Sequence, residues 1–497
     1  MAKNFIRADR DQVLLMPPSL ADWLPKDHLA WTVLESVSQI DLTDFYSCYR
    51  DDGWGRAAFE PSMMVALLLY AYAVGVRSSR EIERGLVQDV AFRVIAANNR
   101  PDHSTICRFR QTHEQALNDL FVSVLGLCVR AGMVRPEIIA IDGSKIAANA
   151  SGAKNITEEQ LRDFARRVFD EAAAVDDAED GLYGDRRGDE LPEHLQDPDK
   201  RVEWIRNQLA AQGLKLKNNK SVRVNTTDPD SRPMKTPTGF VQGYNAQFAV
   251  TQDQVIVAVH VTNQASDTTH FAPMVDLAIS NLDAAGLRQP VGVVVADAGY
   301  FSDANASLDR DVEMLIAPAA SKNLDKAIAG RTPLESLDAQ DERRWALCEW
   351  VRSWDARHRG AVIAGLDQGV ITPSEASEML MMTTSSVKWL KWRLRTSGEL
   401  PPARLRGVPP PRPSERQRML ERFAAPGATE TYRIRGWTVE PVIGQIKDVD
   451  GLRRFLRRGL PACTADLTLQ ATAHNFKKLW RRISSQAKAL RPSPLFA

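Results

Sequence analysis

Three carboxylates stand out in the 497-residue sequence because of the residues around them. Asp297 closes the β-branched run Val291-Gly-Val-Val-Val-Ala-Asp-Ala-Gly-Tyr300, and Asp142 closes a second, Pro136-Glu-Ile-Ile-Ala-Ile-Asp-Gly-Ser144. Glu440 lies in Thr431-Tyr-Arg-Ile-Arg-Gly-Trp-Thr-Val-Glu-Pro-Val-Ile-Gly-Gln-Ile-Lys-Asp448. A carboxylate at the end of a buried strand costs several kcal/mol to desolvate unless it is paired or bound to a cation. If the two strands lie side by side, their aspartates converge at one rim of a sheet. Close like charges then call for a cation, and hard divalent ions such as Mg²⁺ take oxygen ligands of this kind. No His or Cys accompanies the acids, which disfavours zinc. No Ser/His/Asp or Cys/His set offers a protein nucleophile. Blander readings stand beside this one: Asp297 as a turn or cap residue, and Glu440 as a helix N-terminal acid favoured by the dipole.

The elements that must position these acids can be read from apolar periodicity. The runs before Asp142 and Asp297 are apolar and β-branched, as in strands buried on both faces. After Asp297 the chain turns, and Ser302 or Asp303 caps a short helix. Gly239–Val250 and Gln254–Val261 are strands joined through Thr251-Gln252-Asp253 as a hairpin. His270–Ala285 reads as an amphipathic helix, Ser302–Leu308 as another, and Val312–Pro318 as a strand. A hairpin followed by a parallel crossover strand is the mixed-sheet layout of the ribonuclease-H-like α/β fold. Thr438 is a candidate cap that puts Glu440 in a first helical turn, where Pro441 is tolerated. Glu440 and Lys447 are two turns apart and share a face, and Arg453, Arg454, Arg457 and Arg458 follow as a cationic cluster.

Net charge is only +1, so the whole chain predicts no polyanion partner. The distribution says more: about 22 Lys and Arg face about 8 Asp and Glu from Lys391 onward, whereas Glu158–Lys200 is acidic. Such separation suits handling a polyanion with one part of the chain. The five cysteines are scattered and form no C-x-x-C pair, which predicts a reducing, cytoplasmic setting and no structural zinc. The first ten residues contain no apolar signal region, and the run Met63–Val76 is too short for a bilayer.

Residues 1–134 read as helical. Pro61-Ser62 opens a helix ended by Gly75, Ile82, Leu86 and Val90 share a face, and Ser104 caps a helix carrying Arg108 and Arg110. That pattern fits a helix-turn-helix reader of DNA or, as the pattern alone favours, a plain bundle with solvated arginines. Residues 155–219 form a helical insertion with a polar, acidic middle: a solvated face or a polyanion mimic. Residues 321–430 are too long for a loop. Pro373 begins one helix there, and Thr384 or Ser385 caps a second carrying Lys388, Lys391 and Arg393. This is a helix-turn-helix pattern, or else a hairpin packing on Trp389 and Trp392. Leu400–Pro413 is a Pro-rich basic linker.

The segments AIDGSKIAANAS, VVADAGYFS and YRIRGWTVEPVIGQIK resemble the three catalytic blocks of DDE transposases from bacterial insertion sequences. The likeness is greatest to the insertion-sequence 1182 group and its Y-R-E-K-bearing relatives. GRAAFEPSMMVALLLYAY, SSREIE and PDHSTICRFR resemble the N-terminal domain of the same group, so the similarity spans nearly the whole chain. The resemblance implies Asp142, Asp297 and Glu440 as a triad holding two Mg²⁺ (or Mn²⁺) ions. It implies Tyr432, Arg435 and Lys447 at the Y-R-E-K positions, on phosphates flanking the cut. Four residues separate Arg435 from Glu440 where the usual pattern has three, which puts the role of Arg435 in doubt. The implied activity is cleavage at the element's ends and joining of 3′-hydroxyls to target DNA. A ribonuclease-H-like nuclease without strand transfer, or an inactive DNA-binding regulator, is the alternative. Expected partners are double-stranded terminal inverted repeats and target DNA, held by a homodimer, with no membrane. Arg453, Arg454, Lys388, Lys391, Arg393, Arg108 and Arg110 are the further candidate DNA contacts. The expected parts are an N-terminal helical domain (1–134), a ribonuclease-H-like core (135–320 and 431–497) and the helical insertion (321–430).

Overall fold

A computed structural model describes residues 19, 22–49, 57–157, 223–237, 239–331, 357–380, 383–397 and 414–489. By contacts the chain divides into two units, Met1–Lys322 with Ala425–Ala497, and Asn323–Ala424.

Among the described residues the strands are β1 (Ile138–Ala147), β2 (Asn155–Thr157), β3 (Arg223–Asn225), β4 (Arg232–Thr236), β5 (Gly239–Thr251), β6 (Ile256–Thr262), β7 (Val293–Ala296) and β8 (Glu313–Ile316). The main sheet is mixed. β1 pairs antiparallel with β5 and parallel with β7, β7 pairs parallel with β8, and the far edge of β5 pairs antiparallel with β4 and β6. Its centre is built from the runs that sequence periodicity marks as buried. Ile139, Ala140, Ile141, Val295 and Ala296 are all fully buried, as strands covered on both faces must be. β2 and β3 form a separate ribbon that ties together the two ends of the 155–219 stretch. The helices expected within that stretch lie outside the described residues, as do residues 332–356 and the 400–413 linker.

Helices α1 (Leu29–Ser38), α2 (Thr43–Tyr46), α3 (Pro61–Ala73), α4 (Ser79–Gln88), α5 (Val90–Ile95), α6 (His103–Thr112) and α7 (Glu114–Arg130) precede the sheet. After β6 come α8 (Phe271–Ala284), α9 (Asp303–Ala306), α10 (Ser321–Ala329), α11 (Pro373–Met379), α12 (Thr384–Ser397), α13 (Glu415–Ala424), α14 (Ala428–Arg433), α15 (Arg435–Gly444) and α16 (Leu460–Ala489). α3 is buried on all sides, within a core that Leu469, Ala473 and Phe476 of α16 complete. That packing ties the N-terminal helices to the sheet, because Asn475 of α16 also bonds the backbone of Ile256 on β6. Two helix starts differ from expectation. Asp102, not Ser104, caps α6 by accepting from Thr105 N. The chain breaks before Val90 because Asp89 caps a new helix. Among the described residues no helix is long and apolar enough to cross a membrane.

In the second unit, Val362, Ile363, Leu366, Ala376, Val387 and Leu390 form a small core. Thr372 and Glu375 close a capping box on α11, and the Thr383 hydroxyl accepts from Ser386 N at the start of α12. Trp389 and Trp392 are 46% and 61% exposed, so they are not what this helical pair packs on.

Candidate active site

The parallel register of β1 and β7 ends with Ile141 opposite Ala296. Asp142 and Asp297 are the next residues on adjacent strands, so they stand at the same level where the strands part. Asp142 is not at a strand end as expected; β1 continues through Ala147, held by β5. Asp297 Oδ1 accepts from Gly299 N at 2.9 Å and caps the short turn Ala298–Tyr300, so the cap reading of this residue also holds. Asp142 Oδ1 accepts from Gly143 N at 2.8 Å, and its Oδ2 meets Arg435 Nη1 at 2.7 Å. The other arm of the same guanidinium, Nη2, lies 3.0 Å from Glu440 Oε1. One cation thus spans two of the three acids. Asp142 is 18% exposed and Glu440 52%. Burial pushes the Asp142 carboxyl up to about 6; Arg435 works against that rise, and the negative charges of Asp297 and Glu440 add to it. Among the described residues no three acidic, His or Cys side chains are placed to enclose an ion as they stand.

α15 begins at Arg435, so Thr438 is not its cap. The Thr438 hydroxyl donates to Ile434 O at 3.1 Å, and Glu440 and Pro441 lie in the helix interior. An interior proline has no N–H for the carbonyl four residues back, here that of Trp437. Gln254 Nε2 fills the vacancy, donating to Trp437 O at 2.9 Å. After Gly444 the helix widens into a π segment, Gln445–Val449, a feature common at functional sites. The two-turn arithmetic between Glu440 and Lys447 assumed an unbroken α-helix and does not hold through this segment. Lys447 nonetheless reaches β1, donating to Ser144 Oγ at 2.8 Å and Lys145 O at 3.2 Å. Burial lowers its pKa.

Sequence reasoning missed a fourth acid. Asp267 accepts from Lys145 Nζ at 3.1 Å, Asn245 Nδ2 at 2.6 Å and Gln247 Nε2 at 2.8 Å. This network lies against Gly143, where a Cβ would come within 2.6 Å of Gln247 Nε2 and 2.8 Å of Asp267 Oδ1. The Gly after Asp142 is therefore required by close approach. The available signal was Asn245-Ala-Gln247 within an otherwise apolar strand, two polar residues on one face.

Other candidates are placed as follows. Tyr432 is 4% exposed, and its hydroxyl lies 3.3 Å from Ser321 Oγ, so it supports the start of α15 rather than facing solvent. Arg453 and Arg454 are exposed beside the end of β1, where Ala147 bridges Arg454, and Arg453 also pairs with Asp448. Arg108 is exposed on α6. Arg110 does not face DNA: it is buried, donating to the Tyr72 hydroxyl and Arg77 O at 3.0 Å each and to Ser79, with Asp466 at 4.0 Å. In the second unit Lys388 is exposed, Lys391 pairs with Asp367 at 3.0 Å, and the Arg393 guanidinium lies over the Trp389 ring.

A mixed sheet carrying neighbouring acids on parallel strands, with a third on a helix behind them, defines a class of polar, acid-lined site on an α/β scaffold. Comparison with known families goes further. Residues 18–112 match the family described as Transposase domain (DUF772), and residues 408–480 match Transposase DDE domain. The second segment contains Tyr432, Arg435, Glu440 and Lys447; neither contains Asp142 or Asp297. Together the two matches support a DDE transposase of insertion-sequence type. No curated protein and no solved structure matches the chain.

Proposed function

We propose that the chain has a ribonuclease-H-like catalytic core that cleaves DNA phosphodiester bonds at the ends of its own insertion sequence. It then joins the 3′-hydroxyl ends to target DNA. The observation that supports this reading is that Asp142 has Asp297 beside it by strand register and Glu440 linked to it through Arg435.

The donor set fits a hard divalent cation. All three candidate ligands are carboxylates, the Asp142 carboxyl is buried at a cost, and a cation, Arg435, already sits between Asp142 and Glu440. Asp142, Asp297 and Glu440 would hold a divalent ion, which would supply Lewis acidity for phosphoryl transfer. The chain's own residues do the rest. Gly143 N–H and the packing of β1 between β5 and β7 fix the Asp142 carboxyl. Arg435 neutralises Asp142 and Glu440 and orients both. Lys447, with Arg453 and Arg454 beyond it, offers positive charge for the phosphates on one side of the reacting bond. The aspartate network at Asp267 backs Gly143 and keeps the floor of the site rigid.

The test uses a duplex carrying the element's end, incubated with Mg²⁺. Asp142→Ala, Asp297→Ala and Glu440→Ala each abolish cleavage while retaining binding of the duplex. A triple alanine variant that still cuts ends the proposal. Supplying precut ends and a target plasmid separates strand transfer from cutting alone.

A further inference from the structure

The β5–β6 hairpin holds a residue that sequence rules would not place there. Gln254 adopts φ +60°, a left-handed conformation usually left to Gly or Asn. Its backbone is fixed by Thr251 O and by the His474 ring. Its side chain makes two links that glycine cannot: Nε2 donates to Trp437 O, and Oε1 accepts from Lys478 Nζ at 3.2 Å. A strained residue used as a connector marks something worth connecting.

On one side of Gln254 lies α15. Trp437 is 73% exposed there, and Glu440 follows about 4.5 Å further along the helix. On the other side Lys478 opens into a cleft of about 570 Å³ lined by Arg135, Asp253, Arg481 and Arg482. Four cations face one carboxylate in it, and Arg135 already takes that carboxylate in a two-armed grip. Among the described residues Arg481 and Arg482 meet no carboxylate within ion-pair distance. Lys478, Arg481 and Arg482 fall at i, i+3 and i+4 on α16, which puts them on one face. Burial, and after it the neighbouring Arg481, lower the Lys478 pKa against the opposing pull of Asp253.

We propose that Arg135, Lys478, Arg481 and Arg482 form a second subsite for a phosphodiester backbone, lying across Trp437 from the carboxylates. It grips DNA on the side of the reacting bond opposite Lys447, Arg453 and Arg454. The charge calls for a polyanion, because one phosphate would not answer several cations spread along a helix face. The link through Gln254 joins that cleft to α15, the helix that carries Glu440. This inference rests on the DNA-cleaving reading above. The backbone has two sources with the same chemistry, the donor DNA flanking the element or the target duplex.

The test compares wild type with the double variant Arg481→Gln/Arg482→Gln in the full chain; both residues are exposed, and thermal melting checks that the fold is kept. Affinity is measured by fluorescence anisotropy across a salt series on three labelled duplexes. One stops at the element's end, one extends that end into flanking DNA, and one is a mixed-sequence target. Loss of two phosphate contacts lowers the slope of log affinity against log salt by about 1.8. A drop on the extended duplex but not the truncated one assigns the cleft to flanking DNA. A drop on the mixed-sequence duplex assigns it to target. Slopes unchanged on all three overturn the subsite. The variant keeps the three acids, so an unchanged slope alongside loss of cleavage in Glu440→Ala sinks the subsite alone. A triple alanine variant that still cuts sinks the catalytic reading instead.

Discussion

Replacing Asp142 by asparagine tests the site without any assay of catalysis. The carboxyl is held at about 6 against 3.8 for a free aspartate, with burial the leading cause. Ionising it in the fold therefore costs about 3 kcal/mol relative to ionising it in the unfolded chain. Asparagine resembles the protonated acid and escapes that cost. It must, however, turn a donor toward Gly143 N–H or Arg435, which takes back about 1 kcal/mol. The net gain is about 2 kcal/mol in metal-free protein near neutral pH, on the order of 2 °C in melting temperature for a unit of this size. The sign follows from the raised pKa. The stability contributed by the protonated acid is fully present below about 4 and is lost as pH rises through about 6. Asp142→Asn should therefore melt above wild type in EDTA at about pH 7.5, and the gap should close near pH 4. Adding millimolar Mg²⁺ should raise the wild type and leave the variant in place, because the ion stabilises only the chain that binds it. A variant that melts below wild type at both pH values would refute the burial argument.

Two further substitutions probe the arginines. Arg435→Gln removes the cation between Asp142 and Glu440, so the DNA-free protein should bind Mn²⁺ several-fold more tightly by calorimetry; equal or weaker binding would mean that Arg435 does not compete for those carboxylates. Arg110→Met should destabilise by about 3–5 kcal/mol, since it leaves the buried Asp466 without its cation, whereas Arg108→Ala on the exposed face of α6 should leave melting unchanged; wild-type melting in Arg110→Met would overturn the buried role.

What sequence reveals here depends on the range of the interaction that decides each feature. The strands that carry Asp142 and Asp297 are set by local β-branched runs, and those runs end up buried at the sheet centre with Ile141 opposite Ala296. The start of α15 is not local. Thr438 looks like a cap, but Arg435 is drawn into the helix by Asp142, 293 residues away in sequence, and the helix begins one turn earlier. The same contact explains why an Arg one residue out of its usual spacing still reaches the acids: the helix, not the spacing rule, carries it. Arg110 failed for the opposite reason. On α6 it looks like any basic residue on an amphipathic helix. Only the arrival of Asp466 from α16, with Tyr72 from α3, buries it. The π segment after Gly444 likewise has no composition signal, and it follows the interior Pro441 that frees Trp437 O. Gln254 answers that carbonyl from a different strand pair. A proline in one element and a left-handed glutamine in another are thus explained by a single hydrogen bond, one that neither segment reveals alone.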